Sequence, residues 1–486
     1  MLAGPLGGCA VGPDYTAEAA PTPTRYKELK GWKVANPSDG PGRGEWWSLY
    51  RDPRLDVLIK QVEISNQTVA ANAAAYEEAR ALIREAQSSL FPVVTGSYTA
   101  TRMATGAGAL GNNTAFGPVG VGGTGFVYST TFVPQLSASW DLDVWGKVRR
   151  QIESNVAAGQ VSAANLANAK LSQQAMLATA YFNLLASDSL YDLLARTVKE
   201  FKTTLDIVQN QFNAGFSVTL GDVATARAQL EQAQAQEINV GVQRAQFEHA
   251  IAVLVGRPPA EVSIAHHPLP GGIPKIPVTV PSTLLERRPD IAGAERTMQE
   301  ENALIGVAIA GYYPDISLSA LIEVTGSNPL PFAVANEIWS LGAAGTQTIF
   351  NGGLTGAQVD AAKAAYWQSV ATYRQTVLTA FQQVEDELVA VRLLALQLTK
   401  QQAAVKDARQ AVEIDLNQFK AGTIAFTTVV TAEITLLGDE QTELTIRQDL
   451  FLASVALIEA LGGGWDANLL PAQKELVKGF SLLPQL

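Results

Sequence analysis

The sequence is poor in cysteine, in histidine and in long apolar runs, and each shortage removes a class of protein. Cys9 is the only cysteine among 486 residues, so a disulfide framework and a thiolate metal centre are both excluded. His249, His266 and His267 lack the spacing of a ligand set, and the last two stand in a Pro-rich connector, which reads as a solvated pair rather than a metal site. There is no phosphate loop, nucleophile motif or catalytic constellation. The expectation is therefore no enzyme, no metal and no cofactor beyond a covalent lipid, with energy supplied by a partner. Lys and Arg form no cluster and the net charge is −11, which argues against nucleic acid as a partner. Apolar residues make up 47% of the chain, yet no run approaches the ~20 needed for a transmembrane helix. A membrane crossing by this chain therefore requires a β-barrel.

What is present in quantity is helix. From Gly146 to Gln211 there is no Pro, and no Gly after Gly146 except Gly159. At the usual rise a helix of this length measures roughly 100 Å. Ile152, Val156, Leu166, Leu171, Leu177, Ala180, Leu184, Leu190, Leu194, Val198, Leu205 and Val208 recur on one stripe, while Arg149, Lys170, Asp188, Arg196, Lys199 and Asp206 interrupt it. Such a helix needs partners along its whole length.

The plan then repeats. Gly146 and Gly353, Gly215 and Gly422, and Leu254 and Leu461 are each separated by 207 residues, the mark of a tandem duplication. The division is a signal remnant at 1–8, a strap at 9–52 anchored by Trp46 and Trp47, and a first repeat at 53–255. A connector at 256–281, a second repeat at 282–463 and a tail at 464–486 complete it. In the first repeat a helix is expected from Pro53 to Leu90. After Pro92 the period changes to two: Val94, Gly96, Tyr98 and Ala100, then Phe132, Pro134, Leu136, Ala138, Trp140 and Leu142, alternate with polar residues across a loop from Met103 to Val127. Ile316, Leu318, Ala320 and Ile322, then Trp339, Leu341, Ala343 and Gly345, repeat this across a loop from Gly326 to Asn336, the last strand less cleanly, with Gln347 where Trp140 stands.

The lengths imply an architecture. The helix ending at Leu90 and the one from Thr219 to Leu254 together match the long helix, so they stack end to end beside it, with the turns at Asn213 to Val218 and Lys420 to Thr427 pointing away from the strands. Four strands cannot close a barrel. Two chains would give ~8 strands and a filled lumen, whereas three give ~12 and room for a pore. The fold class is mainly α with a membrane β-barrel: long helical hairpins forming an α-barrel, continued by a β-barrel that several chains complete.

At this point the motifs form a recognisable set. They are Cys9 to Tyr15; Trp46-Trp47 with Asp52-Pro53-Arg54-Leu55; Phe91-Pro92; Ser139 to Lys147; Leu284 to Ile291; Tyr313-Pro314; and Ile349 to Gly353. With them the chain resembles, over nearly its whole length, the TolC/OprM-type outer-membrane efflux channels of the NodT-like lipoprotein branch. The resemblance implies a homotrimer in outer-membrane lipid, with a 12-stranded β-barrel completed by trimerisation and a periplasmic helical tunnel. It implies coupling through a periplasmic membrane-fusion adaptor to an inner-membrane pump of the resistance-nodulation-division type, with small toxic molecules as cargo. A type I protein-secretion duct shares the fold. A periplasmic coiled-coil adaptor or scaffold would account for the helices but not for strands with apolar faces.

Several residues then become candidates. Leu6-Gly7-Gly8-Cys9 fits a lipoprotein cleavage site with Cys9 acylated, although a basic start and a longer apolar region are missing; the alternative is an exposed thiol. Phe132, Leu136, Trp140, Trp339 and Leu341 are expected to face lipid. Phe212, Gly215, Phe216 and Asp222 in one hairpin, with Phe419, Gly422, Thr423 and Phe426 in the other, are placed at the periplasmic mouth where the adaptor docks. Phe216 and Phe426 are expected to shut it. Asp222 is either one of a carboxylate ring or the N3 residue of a capping box begun by Thr219; Val429 at the equivalent position weakens the ring. Arg287-Arg288-Pro289-Asp290 reads as a helix start rather than a substrate site. Glu385, Asp386 and Glu387 have the spacing of a solvated helix face.

Overall fold

The computed structural model describes residues 10–28, 45–106, 126–216, 218–274, 276, 286–329 and 337–477. Asp52 accepts from the N–H of Arg54 at 2.9 Å, and Pro53 opens α1 (Pro53–Ser65). The expectation of one helix from Pro53 to Leu90 is corrected. Asn66 leaves the helical region (ψ 125°) and caps a second helix, α2 (Gln67–Ser88), by accepting from Thr68 and Val69 at 2.9 and 3.0 Å. An asparagine amide competes for backbone N–H groups, and apolar spacing does not register that.

The strands are β1 (Val93–Gly106) and β2 (Phe126–Leu142), then β3 (Asp315–Val324) and β4 (Glu337–Thr346), in one antiparallel sheet of order β1-β2-β3-β4. The expected loops were too long at both places. Met103 pairs with Ser129 and Gly106 with Phe126, while Gly326 exchanges two backbone hydrogen bonds with Phe132. Ladder bonds join backbones, so the strands continue past the end of side-chain alternation.

The remaining helices are α3 (Lys147–Asn213, 67 residues), α4 (Leu220–Leu254, 35 residues), α5 (Pro289–Ala310, 22 residues), α6 (Leu354–Lys420, 67 residues) and α7 (Phe426–Ala460, 35 residues). The long helices of the two repeats have equal length, as do their hairpin partners. α2 and α4 both pack on one side of α3, α5 and α7 both pack between α3 and α6, and so the helices form four columns in one layer. Each column runs into one strand, in the same order as the sheet. No helix among the described residues is long and apolar enough to cross a membrane.

Where two short helices meet, each end satisfies the other. Asn66, the cap of α2, donates through its amide to the carbonyl of Leu254 at the end of α4 (2.8 Å). Arg288, the cap of α5, donates to the carbonyl of Ala460 at the end of α7 (3.0 Å) while its other guanidinium nitrogens hold Asp290. Pro289 takes the first helical position and Asp290 accepts from Ile291, so this motif is a buried helix junction.

The strap, α1 and the connector cover one face of the layer, and the main core lies between them: Tyr26, Trp46, Trp47, Leu55, Tyr181, Phe182, Leu269 and Phe451. Trp46 donates to Gln174 at 3.2 Å. Two sequence readings change here. Glu385 is not on a solvated face but accepts the strap N–H groups of Lys27 and Glu28 at 2.6 and 2.9 Å. His266 is not simply solvated: its ring nitrogens lie 3.2 Å from Asp188 and 3.1 Å from Asp192, and Asp188 also accepts from Arg244 and from the N–H of His267.

The α4 to α2 junction generates a test. Gly256 has φ +69°, and a Cβ there would sit 2.0 Å from the carbonyl oxygen of Ser65. Gly256→Ala should cost at least about 1–2 kcal/mol from the left-handed conformation alone. Gly271→Ala, in open space, should leave the unfolding midpoint unchanged. Thermal or denaturant unfolding of the two variants checks this.

Candidate functional site

Two regions carry the sequence-predicted residues: the sheet and the hairpin tips. In the sheet, the register sets Leu136 opposite Gly96 and Ile322, Ile322 opposite Trp339, Trp140 opposite Leu318, Ala320 opposite Leu341, and Ala100 opposite Phe132. All five predicted lipid-facing residues therefore share one apolar face. Leu136, Trp140, Trp339 and Leu341 are exposed on it and Phe132 is half-buried. The opposite face carries Thr95, Ser97, Thr99, Ser137, Ser139, Ser317, Ser319 and Ser340, a hydroxyl lining. One dry face and one hydroxylated face on a sheet with two free edges is the surface chemistry of a barrel segment with lipid outside and water inside.

The base of this sheet is built with care. Gly146 starts α3 in the left-handed region (φ +81°) and offers no side-chain cap; Asp143 does so instead, accepting from Val148 and Arg149 at 2.9 and 3.1 Å. A Cβ at Gly146 would lie 2.6 Å from Cα of Ala10 in the strap. Trp145 stacks on Tyr313 (centroids 4.8 Å apart) and donates to the carbonyl of Pro314. The strap begins there, with Val11 donating to the carbonyl of Trp145 at 3.0 Å. Cys9 lies outside the described residues.

At the other end of the columns the two turns have the same backbone. Gly215 (φ +77°) and Gly422 (φ +75°) take the left-handed position, and the N–H groups of Phe216 and Thr423 bond back to the carbonyls of Gln211 and Gln418. Asp222 forms the capping box: it accepts from the N–H of Thr219 at 2.8 Å and its own N–H reaches the Thr219 hydroxyl at 3.2 Å. The side chains differ between the turns. Phe212, Phe216 and Leu220 are all exposed, Phe216 at 66%. Phe419 and Phe426 are buried against each other (centroids 5.4 Å) in a cluster with Val208, Val223, Ala226 and Val429.

Phe426 is therefore corrected. At 3% exposure it ties the two hairpins together instead of facing an opening. The sequence pairs it with Phe216 by tip position, but Phe426 opens α7 and Phe216 lies in a turn.

Sequence reasoning missed two residues here. Leu220 is an exposed leucine at a helix start, visible as an apolar residue with no partner in the stripe. Glu433 is the other: it lies in the apolar stripe Phe426, Val429, Glu433 and Leu436 of α7, at spacings of three and four, and that signal was readable. It is 7% exposed, and among the described residues its only hydrogen bond is from the hydroxyl of Thr204 on α3, at 2.7 Å. Burial pushes its carboxyl up to about 7, Thr204 opposes the shift, and Glu200 adds to it. Glu200, whose side chain still reaches solvent, is itself raised by partial desolvation and by Glu440.

The sequence profile described as outer membrane efflux protein matches residues 58–257 and 280–463, one segment for each repeat. The pyoverdine export outer membrane protein OpmQ of Pseudomonas aeruginosa is 28% identical over 472 residues, covering 95% of each chain. The cation efflux system protein CusC of Escherichia coli is 26% identical over 471 residues, covering 95% of this chain and 96% of that one. The solved structure of the outer-membrane channel OprN superposes with a TM-score of 0.83 at 27% identity, over 94% of this chain and 100% of that chain. With the matched segments lying on the two halves of a layer of columns, each continued by a strand, this chain belongs to the outer membrane efflux protein family.

Proposed function

We propose that the chain works as a homotrimeric exit duct for small toxic molecules, receiving cargo from an inner-membrane pump of the resistance-nodulation-division type through a periplasmic adaptor. The observation that carries this reading is the match of order between columns and strands. Sheet and layer end at the same two edges, β1 with α2 and α4, and β4 with α6. Three copies of the 4-stranded sheet close a barrel of about 12 strands and remove every free edge, with the hydroxyl face around the pore. The duct is passive, and its named relatives carry cargoes as different as pyoverdine and cations.

The exposed cluster of Phe212, Phe216 and Leu220 narrows the mouth, helped by Asp222, and the adaptor opens it by contacts made only in the open state. A lipid on Cys9 anchors the strap. The support is that Ala10 and Val11 are held at the base of the sheet, where the strands would enter the bilayer.

Leu136→Arg, on the apolar face, should destabilise each chain by about 2–4 kcal/mol if it lies at mid-membrane. Gel mobility of the assembled trimer reads this, and normal assembly would refute the proposed facing. At the mouth, Phe216→Ala with Asp222→Ala should raise single-channel conductance in planar bilayers. Loss of the cap alone lowers stability by ~1 kcal/mol and leaves conductance alone. Phe426→Ala should behave differently and cost about 3–5 kcal/mol, because it empties a packed cluster. If the Phe216 and Asp222 variant conducts like the parent, Asp222 is only a cap. For the anchor, labelled fatty acid supplied to cells expressing the protein behind a full signal should attach at Cys9; equal labelling of Cys9→Ser would show that the lipid is elsewhere.

A further inference from the structure

We propose that Glu433 is a proton-operated clasp between the two helical hairpins: protonated, it lets α7 seat against α3 just above the mouth, and ionised, it loosens that seam. This rests on the reading of the hairpin tips as a mouth only for its effect on conductance; the clasp itself is a property of one chain.

The geometry is a buried carboxyl group with no cationic partner among the described residues. Glu433 sits between two apolar clusters, with Val208, Phe426 and Val429 on the tip side and Phe201, Leu230, Ala233 and Leu437 on the other. Thr204 is its only hydrogen-bond partner among the described residues and is itself buried. The groups facing this seam can be taken element by element. α3 brings Glu200 and Arg196, α6 brings Arg409, α7 brings Glu440 paired to Arg409, and α4 brings the apolar Leu230 and Ala233. With all groups ionised the seam holds three carboxylates and two guanidinium groups. The unbalanced negative charge falls on Glu433, the most buried of the acids, where a hydroxyl donor does not replace lost hydration.

The sign follows. The folded carboxyl titrates near 7 and the ordinary value is 4.5, so between these the folded state holds a proton that the separated state releases. The seam is strongest below about pH 4.5, weakens as pH rises through 7, and is weakest above that. Alkaline conditions therefore favour separation of the hairpins, and acid conditions favour closure.

Hydrogen exchange on the full-length assembled protein between pH 5 and pH 8 tests this, with rates corrected for intrinsic exchange. Protection of the segments 199–208 and 429–440 should fall with rising pH, by up to about tenfold per pH unit inside the window. In Glu433→Gln, which keeps the shape and cannot ionise, it should stay flat, and Thr204→Val should retain the pH dependence. A Glu433→Gln profile that follows the parent, or a parent profile that is flat, overturns the clasp. Planar-bilayer conductance over the same range separates the two readings. PH-dependent protection with pH-independent conductance keeps the clasp and removes the hairpins from the gate; conductance that rises with pH in the parent and not in Glu433→Gln joins them.

Discussion

Helices α3 and α6 are each as long as two shorter helices laid end to end, so every other column must contain a buried place where one helix stops and the next begins. A helix end leaves several backbone groups without partners, and burying two such ends together is costly unless each supplies what the other lacks. Asn66 and Arg288, each at the N-cap position of the helix that follows, donate a side-chain N–H to the last carbonyl of the helix stacked on it. Asn66 also accepts from the N–H groups of its own helix, whereas beside Arg288 it is Asp290 that accepts, from Ile291. Gly256 and Gly462 let the backbones meet at these points, since a Cβ at either would strike a carbonyl. The junctions set the register between strand, column and hairpin, and therefore where the tips end.

From these junctions the molecule changes character in both directions. Toward the sheet, Asp143, Trp145, Gly146 and Tyr313 fix how a helix becomes a strand, and the strap is threaded through the same point. Toward the tips, cover from the strap and connector ends and small clusters hold the hairpins together. The duplicated backbone is kept there, glycine for glycine, while the side chains have diverged. Phe212 and Phe216 are exposed, Phe419 and Phe426 are buried, and Asp222 stands where the other hairpin has the buried Val429. The two hairpins are therefore unequally packed at their tips, and the buried cluster around Phe419 and Phe426 forms the seam between them. Glu433 lies in that seam.

Much of this architecture was legible because it depends on periodicity. The stripe of α3, the separation of 207 between equivalent landmarks, the alternation in all four strands and the Thr219 to Asp222 capping box are local or repetitive, and each appears as read. The shared face of Phe132, Leu136, Trp140, Trp339 and Leu341 was legible for the same reason, since a period of two assigns a face without knowledge of the neighbour. The break at Asn66 escaped because it interrupts a helix without interrupting its polarity pattern. The roles of Glu385 and His266 escaped because their partners are 357 and 78 residues away, in the strap and at Asp188.

By itself, the sequence determined that the chain is a duplicated set of long amphipathic helices and two-faced strands too few to close alone. Burial patterns of period 3.6 and period 2 are written residue by residue. Only the tertiary structure decided which tip aromatic is exposed, which acid is deprived of water and which helix ends meet, because burial at those places depends on a second element hundreds of residues away. Phe426 and Phe216 look alike in a sequence, but one is buried against Phe419 and the other is left exposed among the described residues. Glu433 is an ordinary glutamate until Thr204 and two apolar clusters enclose it.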